Sequence, residues 1–320
     1  MILPGTHMRA VILMAYGSPN SLDEVGDYLA QIKGRRASPA EIEHLQDRYR
    51  QVGGKTPLLK ITRSQARALE QKLHAEGVPV KVYFGMKHWH PFIEDTVQDV
   101  VRDGANHLIG IALAPHYSKL SIGGYENAVR RGLAKQRRNI PYTMVRSWHI
   151  EHHLINALSI RVQASLRKLN SPSKAAVLFT AHSLPKRTVM PDDPYQNQLL
   201  ETSRLVAEQA RVGYWDFAFQ SAGEPTDAWL GPQLREQIVK LSEAGFKREI
   251  LVCPVGFVSD HLEILYDLDI AAKKFAESLD IRLERTPSLN DDPDFINALA
   301  SVTKSSVSPE PSASAQQYAT

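Results

Sequence analysis

The sequence predicts an α/β fold of two similar halves, each a parallel sheet of roughly four strands flanked by helices. The main observation is that short β-branched or apolar runs alternate with longer amphipathic stretches along the 320 residues. This alternation is typical of parallel strands joined by helical crossovers. A second observation is that the runs fall into two groups that meet near residues 148–153, each with the length of a small domain. We therefore expect two βα halves that face each other.

The elements of the first half follow from two kinds of pattern. Predicted strands are short apolar runs, and predicted helices carry apolar residues at three- to four-residue spacing and close near a glycine. In chain order these elements are strand 10–15 (AVILMA), helix 61–73 before Gly77, strand 80–84 (VKVYF), helix 93–101 before Gly104, strand 108–114 (LIGIALA), a helix beside Arg130 and strand 142–147 (YTMVRS).

The second half repeats the same alternation. In chain order its elements are helix 154–169, strand 175–180 (AAVLFT), helix 196–210, strand 216–219 (DFAF), helix 234–244, strand 249–252 (EILV), helix 262–278 and strand 281–284 (IRLE). The last residues, TKSSVSPEPSASAQQYAT, are rich in Ser, Pro and Ala and lack an apolar period, which predicts a disordered tail. The predicted organisation is an N-terminal domain over 8–150, a C-terminal domain over 151–302 and a tail over 303–320.

Composition and charge exclude several classes of protein. Cys253 is the only cysteine, so neither an internal disulfide nor a Cys-ligated iron–sulfur cluster can form. The net charge is +3 and most basic residues are interleaved with acidic ones, so nucleic-acid binding is not expected. No run approaches the ~20 apolar residues of a membrane span, and residues 1–7 carry no targeting signal. We expect a soluble, cytoplasmic protein.

Reactive side chains follow several of the predicted strands. In parallel α/β sheets, ligands bind beyond the carboxyl ends of the strands. The polar and aromatic residues at these positions are Tyr16, His88, His90, His116, His182, Gln220, His261 and Glu263. Imidazole, phenol and carboxylate groups on one rim are typical of metal binding and proton transfer. Each also has a plainer explanation, since His182 could bond a loop, Tyr16 could be a core aromatic and Glu263 could face a helix dipole.

Other chemistries lack their usual motifs. No strand is followed by GxGxxG or GxxxxGK[ST], so nucleotide phosphates are not expected ligands. GxSxG, the usual setting of a serine nucleophile in an α/β hydrolase, is also missing from the sequence.

The stretches around the rim residues resemble one family. They are LMAYGSP (13–19), DRYRQVGGKTPL (47–58), GMKHWHPFIEDTV (85–97), LAPHYS (113–118), TAHSLP (180–185), DPYQNQL (193–199), FQSAGEPTDAWLGP (219–232) and VCPVGFVSDHLEILYDLD (252–269). In this order they resemble the ferrochelatases, a family of class II chelatases, and most of all the cluster-free Bacillus-type coproporphyrin III enzymes. The resemblance implies two Rossmann-like domains around a porphyrin cleft. It also implies a lyase of haem biosynthesis that inserts Fe²⁺ into a free-base porphyrin.

The resemblance implies roles at the metal for four residues. His182 and Glu263 match the catalytic pair that faces the porphyrin, where they could hold Fe²⁺, pass it to the ring and accept pyrrole protons. Tyr16 matches a tyrosine that ligates the product iron from the opposite face in the coproporphyrin-using branch. His88 matches a position linked to metal entry. Iron is a substrate in this scheme, and no permanently bound cofactor is implied.

The resemblance also implies substrate-binding residues. Lys33, Arg35, Arg36 and Arg48 form a basic cluster whose guanidinium groups could clamp propionates, although a solvated loop face also explains the run 33–36. Residues that match positions on the propionate side are Tyr49, Thr56, Ser118 and Tyr125. Candidate walls that would distort the ring are Trp229, Leu230 and Phe257.

Two departures from the family pattern concern charge. Lys33 stands where relatives often have Arg, which weakens bidentate recognition there. Ala271 replaces a carboxylate of an outer metal site, although Asp267 of that site is retained.

The expected substrate is coproporphyrin III, because the basic cluster suits its four propionates and because LMAYGSP and LAPHYS look like that branch. The alternatives are protoporphyrin IX, which has two propionates, and cobalt or nickel insertion into a sirohydrochlorin-type ring. A non-catalytic porphyrin or haem carrier is the alternative from another class. Family analogy predicts a monomer, with a transient iron donor or a downstream haem-pathway enzyme as candidate partners.

Overall fold

Two parallel four-stranded sheets organise the computed structural model, which describes residues 8–223, 227–245 and 249–307. The strands of the first sheet are β1 (Arg9–Ala15), β2 (Val80–Met86), β3 (His107–Ala112) and β4 (Tyr142–Val145). Those of the second sheet are β5 (Ala176–His182), β6 (Trp215–Gln220), β7 (Glu249–Cys253) and β8 (Arg282–Arg285). Their orders are β2–β1–β3–β4 and β6–β5–β7–β8, so the two halves share one topology. The predicted fold class is confirmed.

Helices connect the strands in both halves. In the first half they are α1 (Val25–Lys33), α2 (Pro39–Gln51), α3 (Leu58–Ala75), α4 (Ile93–Arg102) and α5 (Ile122–Ala134). In the second half they are α6 (His152–Leu166), α7 (Tyr195–Ala210), α8 (Leu234–Glu243), α9 (Leu262–Leu265), α10 (Lys273–Glu277) and α11 (Pro293–Val307). A π-helical turn, Asp267–Ala272, lies between α9 and α10. Within the described ranges, no helix combines the length and the apolar character needed to cross a bilayer.

The two sheets share one central core. Because strand side chains alternate between faces, Val11 and Leu13 of β1 point into this core, while Ile12 points to the opposite face against residues of α4 and α5. Val177 and Phe179 of β5 enter the same central core from the second sheet. Helices α3, α6, α7 and α11 all contribute buried side chains to it. The halves are therefore packed together through a common layer of helices.

The helices α1, α2 and α11 are not predicted by the apolar pattern. In α2 the charged residues mask the apolar period, but a local signal is present. Ser38 accepts a hydrogen bond from the amide of Glu41, and the Glu41 carboxylate accepts one from the amide of Ser38. This reciprocal capping box, with Pro39 in the first turn, is a recognised helix start.

The prediction that a disordered tail begins at residue 303 is wrong for residues 303–307, which complete α11. Their Ser- and Thr-rich sequence has low helix propensity, but packing outweighs it. Thr303 is fully buried and its hydroxyl donates to the carbonyl of Leu299. The ammonium of Lys304 lies 2.7 Å from the carboxylate of Glu76 at the end of α3. The remaining tail, 308–320, lies outside the described residues, and the domain boundary at 150/151 stays a prediction.

The single helix predicted over 262–278 is interrupted. The amide of Ala271 donates to the carbonyl of Tyr266 over 2.9 Å, a five-residue step that inserts one extra residue into the helical turn. Such π turns are often found at functional sites. Here the turn follows α9, the element that carries Glu263, and it redirects the side chains from Asp267 onward.

Candidate active site

His182 and Glu263 are brought together by neighbouring strands of the second sheet. His182 is the last residue of β5, and Glu263 lies in α9, which follows β7. β5 pairs with β6 on one side and with β7 on the other, so this is the point where the chain changes its winding direction. Ligands of open α/β sheets bind at such points. The Nε2 of His182 lies 3.3 Å from Oε1 of Glu263.

Gly256 makes this approach possible. A Cβ atom at residue 256 would lie 2.5 Å from the Cβ of Ala181, far inside van der Waals contact. Only glycine therefore lets the chain leave β7 alongside β5 and continue to Glu263.

Backbone carbonyls orient two imidazoles toward Glu263. Nδ1 of His182 bonds the carbonyl of Ser183, and Nδ1 of His261 lies 2.8 Å from the carbonyl of Ser259. A carbonyl can only accept, so each Nδ1 carries the hydrogen. Each Nε2 then faces the carboxylate, that of His261 at 3.5 Å. In the neutral form, His182 offers its Nε2 lone pair to a metal ion or a proton.

The pair shares a proton in the free protein. Burial disfavours the charge on His182, but the Glu263 carboxylate outweighs burial and raises the pKa of His182 to about 9. Burial likewise opposes the charge on Glu263, and His182 followed by His261 outweighs it, so the pKa of Glu263 is well below its usual value. The side chains of His182 and Glu263 are 34% and 29% exposed. A cation can therefore reach them, and it would displace the proton on binding.

Tyr16 lies at the end of the first strand of the first sheet, within the electrostatic range of Glu263. It follows β1 directly, and the chain turns at Gly17, whose φ is +102° and where a Cβ would lie 2.9 Å from the amide nitrogen of Trp89. The Tyr16 side chain is 44% exposed, and its ring lies 4.5 Å from that of His88. Partial desolvation of the phenol by neighbouring groups, followed by the charge of Glu263, raises the pKa of Tyr16. The carboxyl edges of the two sheets therefore share one electrostatic environment.

His88 is uncharged at neutral pH. Burial, together with the charge of Lys87, lowers the pKa of His88 to about 4. A neutral imidazole can bind a metal ion, but its role in metal entry stays a prediction.

Tyr49 and Thr56 brace the loop that carries Tyr16. The hydroxyl of Ser18 lies 3.0 Å from that of Tyr49 and 2.8 Å from that of Thr56. Tyr28 donates to the carbonyl of Gly17 over 2.9 Å. Tyr49 is 2% exposed, so its hydroxyl supports the loop from behind. Direct contacts of Tyr49 and Thr56 with a porphyrin stay predictions.

Lys33 and Arg35 are paired with an acidic residue. Nζ of Lys33 lies 2.5 Å from Oε1 of Glu41, and Nη2 of Arg35 lies 2.7 Å from the same atom. Both residues are thus tied to the start of α2. A propionate would have to compete with Glu41 for them, and their role as propionate clamps stays a prediction.

Arg48 joins α2 to the π-helical turn. Its Nη2 lies 2.5 Å from Oδ1 of Asp267, and its guanidinium lies 4.9 Å from the ring centre of Tyr266. The other carboxylate oxygen of Asp267, Oδ2, accepts from the hydroxyl of Ser221. The Nε of Arg48 is buried without a hydrogen-bond partner among the described residues. Asp267, the residue retained from the expected outer metal site, is thus already paired with Arg48 and bonded to Ser221. Whether an outer metal site forms with Ala271 in place of a carboxylate stays a prediction.

The other predicted substrate residues differ in accessibility. Ser118 is fully buried and its hydroxyl accepts from the amide of Ser121 over 3.0 Å. Tyr125 is 5% exposed, and the ammonium of Lys87 lies 5.5 Å from its ring centre. Trp229 is half-buried and forms an isolated β-bridge with Pro185, next to the TAHSLP segment. Their contacts with a ring stay predictions.

His116, a rim residue in the sequence, is buried. It is 2% exposed, and its Nε2 lies 2.9 Å from the hydroxyl of Thr202. Burial, followed by the nearby His149, lowers the pKa of His116 to about 3. It therefore stays neutral in the folded protein and serves the packing of α7.

Because His116 is buried in its neutral form, we expect the folded protein to lose stability in acid. The unfolded chain binds the proton near pH 6.5 and the folded one near pH 3, so the free energy of unfolding falls as pH drops through this window. At pH 5 the cost is about 2 kcal/mol. Between pH 7.5 and pH 5.0, the free energy of unfolding of His116→Gln should fall by about 2 kcal/mol less than that of the wild type. Urea unfolding at the two pH values measures this difference. Equal dependences in the two proteins would contradict the assignment.

Several residues around the pair are not singled out by the motifs. Gln220 and His261 are located by their position after strands, but their residue types do not indicate a role there. Nothing in the sequence indicates a role for Tyr28, and Ser18 stands out only because it comes two residues after Tyr16. Spacing relative to strand ends is the signal that finds His261, which precedes Glu263 by two residues.

Comparison with known proteins identifies close relatives. Residues 8–307 match the family model described as Ferrochelatase. A ferrochelatase of Herpetosiphon aurantiacus is 44% identical over 297 residues, which cover 92% of this chain and 97% of that protein. One of Deinococcus radiodurans is 43% identical over 297 residues, with 91% and 94% covered. A coproporphyrin III ferrochelatase of Geobacillus kaustophilus is 38% identical over 297 residues, with 91% and 94% covered.

Solved structures share the fold at much lower identity. SirB from Bacillus subtilis with Fe³⁺ has a TM-score of 0.57 at 15% identity, with 93% of this chain and 94% of that chain covered. The sirohydrochlorin chelatase SirB from Bacillus subtilis subspecies spizizenii in complex with cobalt has a TM-score of 0.57 at 13% identity, with 94% and 97% covered. At these identities the similarity concerns the fold alone.

Proposed function

The chain belongs to the ferrochelatase family, and we propose that the porphyrin it metallates is coproporphyrin III. As a ferrochelatase it is a lyase that acts on iron and a porphyrin. The observation that carries the proposal is the position of Tyr16, which directly follows β1 and lies within the electrostatic reach of Glu263. A ring bound between the two sheets would have Tyr16 on one face and the His182–Glu263 pair on the other.

The pair supplies the chemistry of insertion in this proposal. His182 and Glu263 hold Fe²⁺ through Nε2 and a carboxylate oxygen, ligands that suit a borderline divalent metal. As the iron passes to the ring nitrogens, the pair is free to take up one of the two pyrrole protons, and the other is released to solvent. Its proton-free form is an imidazole and a carboxylate 3.3 Å apart, so a proton taken up is shared and stabilised.

Tyr16 would act on the product. The raised pKa of its phenol keeps the side chain protonated in the free enzyme. Iron within the ring is a cation strong enough to favour the phenolate, and tyrosine is a known axial ligand of haem iron. This would stabilise the metallated ring from the face opposite His182.

The basic residues of the first half favour coproporphyrin III, the porphyrin with more carboxylates. Coproporphyrin III has four propionates, and the first half offers Lys33, Arg35 and Arg48 on α1, α2 and the segment between them. The Nε of Arg48 is buried and has no partner among the described residues, so a propionate could bond it only after the side chain shifts. Bidentate binding by this arginine would use a group that the free protein leaves unpaired.

Protoporphyrin IX is the second candidate. Lys33 and Arg35 are both held by Glu41, and Arg48 is held by Asp267. If these pairs persist in the complex, the cleft has fewer cations to offer, which favours a ring with two propionates. The relatives with 44% and 43% identity carry the general name ferrochelatase.

An anaerobic insertion assay separates these substrates. The protein is given Fe²⁺ with coproporphyrin III or protoporphyrin IX, and the Soret band is followed. We expect a kcat/KM at least about tenfold higher for coproporphyrin III, since one additional charged hydrogen bond contributes about 1.5–3 kcal/mol. A preference for protoporphyrin IX would overturn the substrate proposal and leave the chemistry of the pair in place. Tight binding of both without insertion would favour a carrier.

A further inference from the structure

We propose that Gln220 is a positioning residue that sets the separation between His182 and Glu263. Its side chain links β5, the strand that ends in His182, to the backbone of Glu263. The inference rests on the metal-binding roles proposed above for these two residues. It concerns a residue that touches neither iron nor porphyrin in the proposed reaction.

Gln220 contacts the chain on both sides of the pair. It is the last residue of β6, is 2% exposed and lies opposite His182 in the β5–β6 register. Its backbone carbonyl accepts from the amide of Ser183 over 2.8 Å. Its Nε2 lies 3.0 Å from the carbonyl oxygen of Glu263, and its Oε1 lies 2.8 Å from the hydroxyl of Thr180. The two hydrogen bonds of this one side chain thus connect Thr180 of β5 to the backbone of Glu263.

The orientation of this amide follows from its partners. The carbonyl of Glu263 can only accept, so it must face the NH₂ group of Gln220. The amide oxygen then faces Thr180, whose hydroxyl donates to it. Thr180 is fully buried on β5, two residues before His182. A directional chain of hydrogen bonds therefore runs from β5 through Gln220 to Glu263.

Glu263 needs this support because its own helix is short. α9 has four residues, less than the length at which a helix is stable by itself, and the π-helical turn follows at once. The next residue after Gln220, Ser221, bonds the carboxylate of Asp267. The end of β6 thus holds the segment at residues 263 and 267.

The backbone at this point indicates a constrained junction. Ser221 has φ of +59°, in the left-handed region that is unfavourable for a non-glycine residue. Such a conformation persists where the surroundings determine it. Here the bonds of Gln220 and Ser221 to the α9 segment supply that constraint.

Loss of the hydrogen bonds that run from Thr180 through Gln220 would move Glu263 relative to His182. The two groups are in contact at 3.3 Å, and a misplacement of about 1 Å at a reacting pair can lower a rate by about 10²-fold. In the proposed reaction the pair contacts iron rather than anchoring the porphyrin, so we expect the effect in the steps that involve iron.

The test removes the donor that orients Gln220. Thr180→Val keeps the shape of the side chain but not its hydroxyl, and Thr180→Ser keeps the hydroxyl. We expect Thr180→Val to lower kcat/KM for Fe²⁺ by about 10- to 100-fold, with the Kd for porphyrin unchanged within about twofold. Thr180→Ser is expected to recover most of the wild-type value. Thr303→Val, which removes a buried hydroxyl bonded within α11, is the matched control and should leave kcat and KM unchanged.

The outcomes separate this inference from the proposed function. Thr180→Val with wild-type kcat and KM for Fe²⁺, or equal losses in Thr180→Val and Thr303→Val, would overturn the positioning role. If Thr180→Val does not fold, Gln220→Met provides the same comparison, because it keeps the chain length and removes both bonds. Failure of the wild-type protein to insert iron would instead overturn the proposed function.

Discussion

Replacement of His182 by Ala is expected to lower the rate of iron insertion by about 10²–10⁴-fold, the range for removal of a group that transfers protons. The variant loses the Nε2 lone pair that is directed at Glu263 by the bond between Nδ1 and the carbonyl of Ser183. Porphyrin binding should persist, because the imidazole contributes little of the surface that a macrocycle would contact. Steady-state insertion of Fe²⁺ and fluorescence titration with porphyrin measure the two effects separately.

A second variant tests whether the pair acts as a unit. Glu263→Gln should cost a similar factor, and the double variant should cost little more than either single change, since groups that act together are not additive. His153→Ala is the matched control, because this histidine is 47% exposed and bonded to Glu151. Insertion by His182→Ala at near the wild-type rate would show that the pair does not handle the metal.

Replacement of Phe295 by Ala is expected to lower the free energy of unfolding by about 3–5 kcal/mol. Phe295 is fully buried in the central core, and its ring centre lies 6.0 Å from that of Trp148. Its helix, α11, packs against α3 of the first half and α6 of the second. The cavity left by the ring would therefore weaken the layer that joins the two sheets.

Guanidinium unfolding followed by circular dichroism measures this effect. Ser305→Ala on the exposed side of the same helix is the control and should change stability by no more than about 0.5 kcal/mol. A loss below about 1 kcal/mol for Phe295→Ala would mean that the core collapses around the missing ring or that α11 contributes little to the global transition.

The strands and the position of the pair are readable from the sequence for a physical reason. A strand buried on both faces must be a continuous apolar run, and runs such as AVILMA and AAVLFT have no competing explanation. Side chains that perform chemistry follow these runs because parallel strands end at one edge. Spacing therefore places His182, Glu263 and Tyr16 among the eight residues of this edge, and the resemblance to the ferrochelatases is what singles them out.

The helices α1, α2 and α11 depend on other information. The helix α1 buries three side chains and α2 buries one, so their apolar faces are narrow. The helix α11 is held by Phe295 and Thr303 in a core built from residues far apart in sequence. Helix propensity alone is too weak to predict such segments, and tertiary packing decides them.

Partners of the charged and polar groups were decided only by the tertiary structure. Lys33 and Arg35 bond Glu41, and Arg48 reaches Asp267, which is 219 residues away. Periodicity reflects near neighbours along the chain, whereas these pairings arise when the two sheets bring separate segments together. The link from Thr180 through Gln220 to Glu263 has the same origin. The residue types thus determined which chemistry the chain can perform, and the packing of the two halves determined which groups are oriented to perform it.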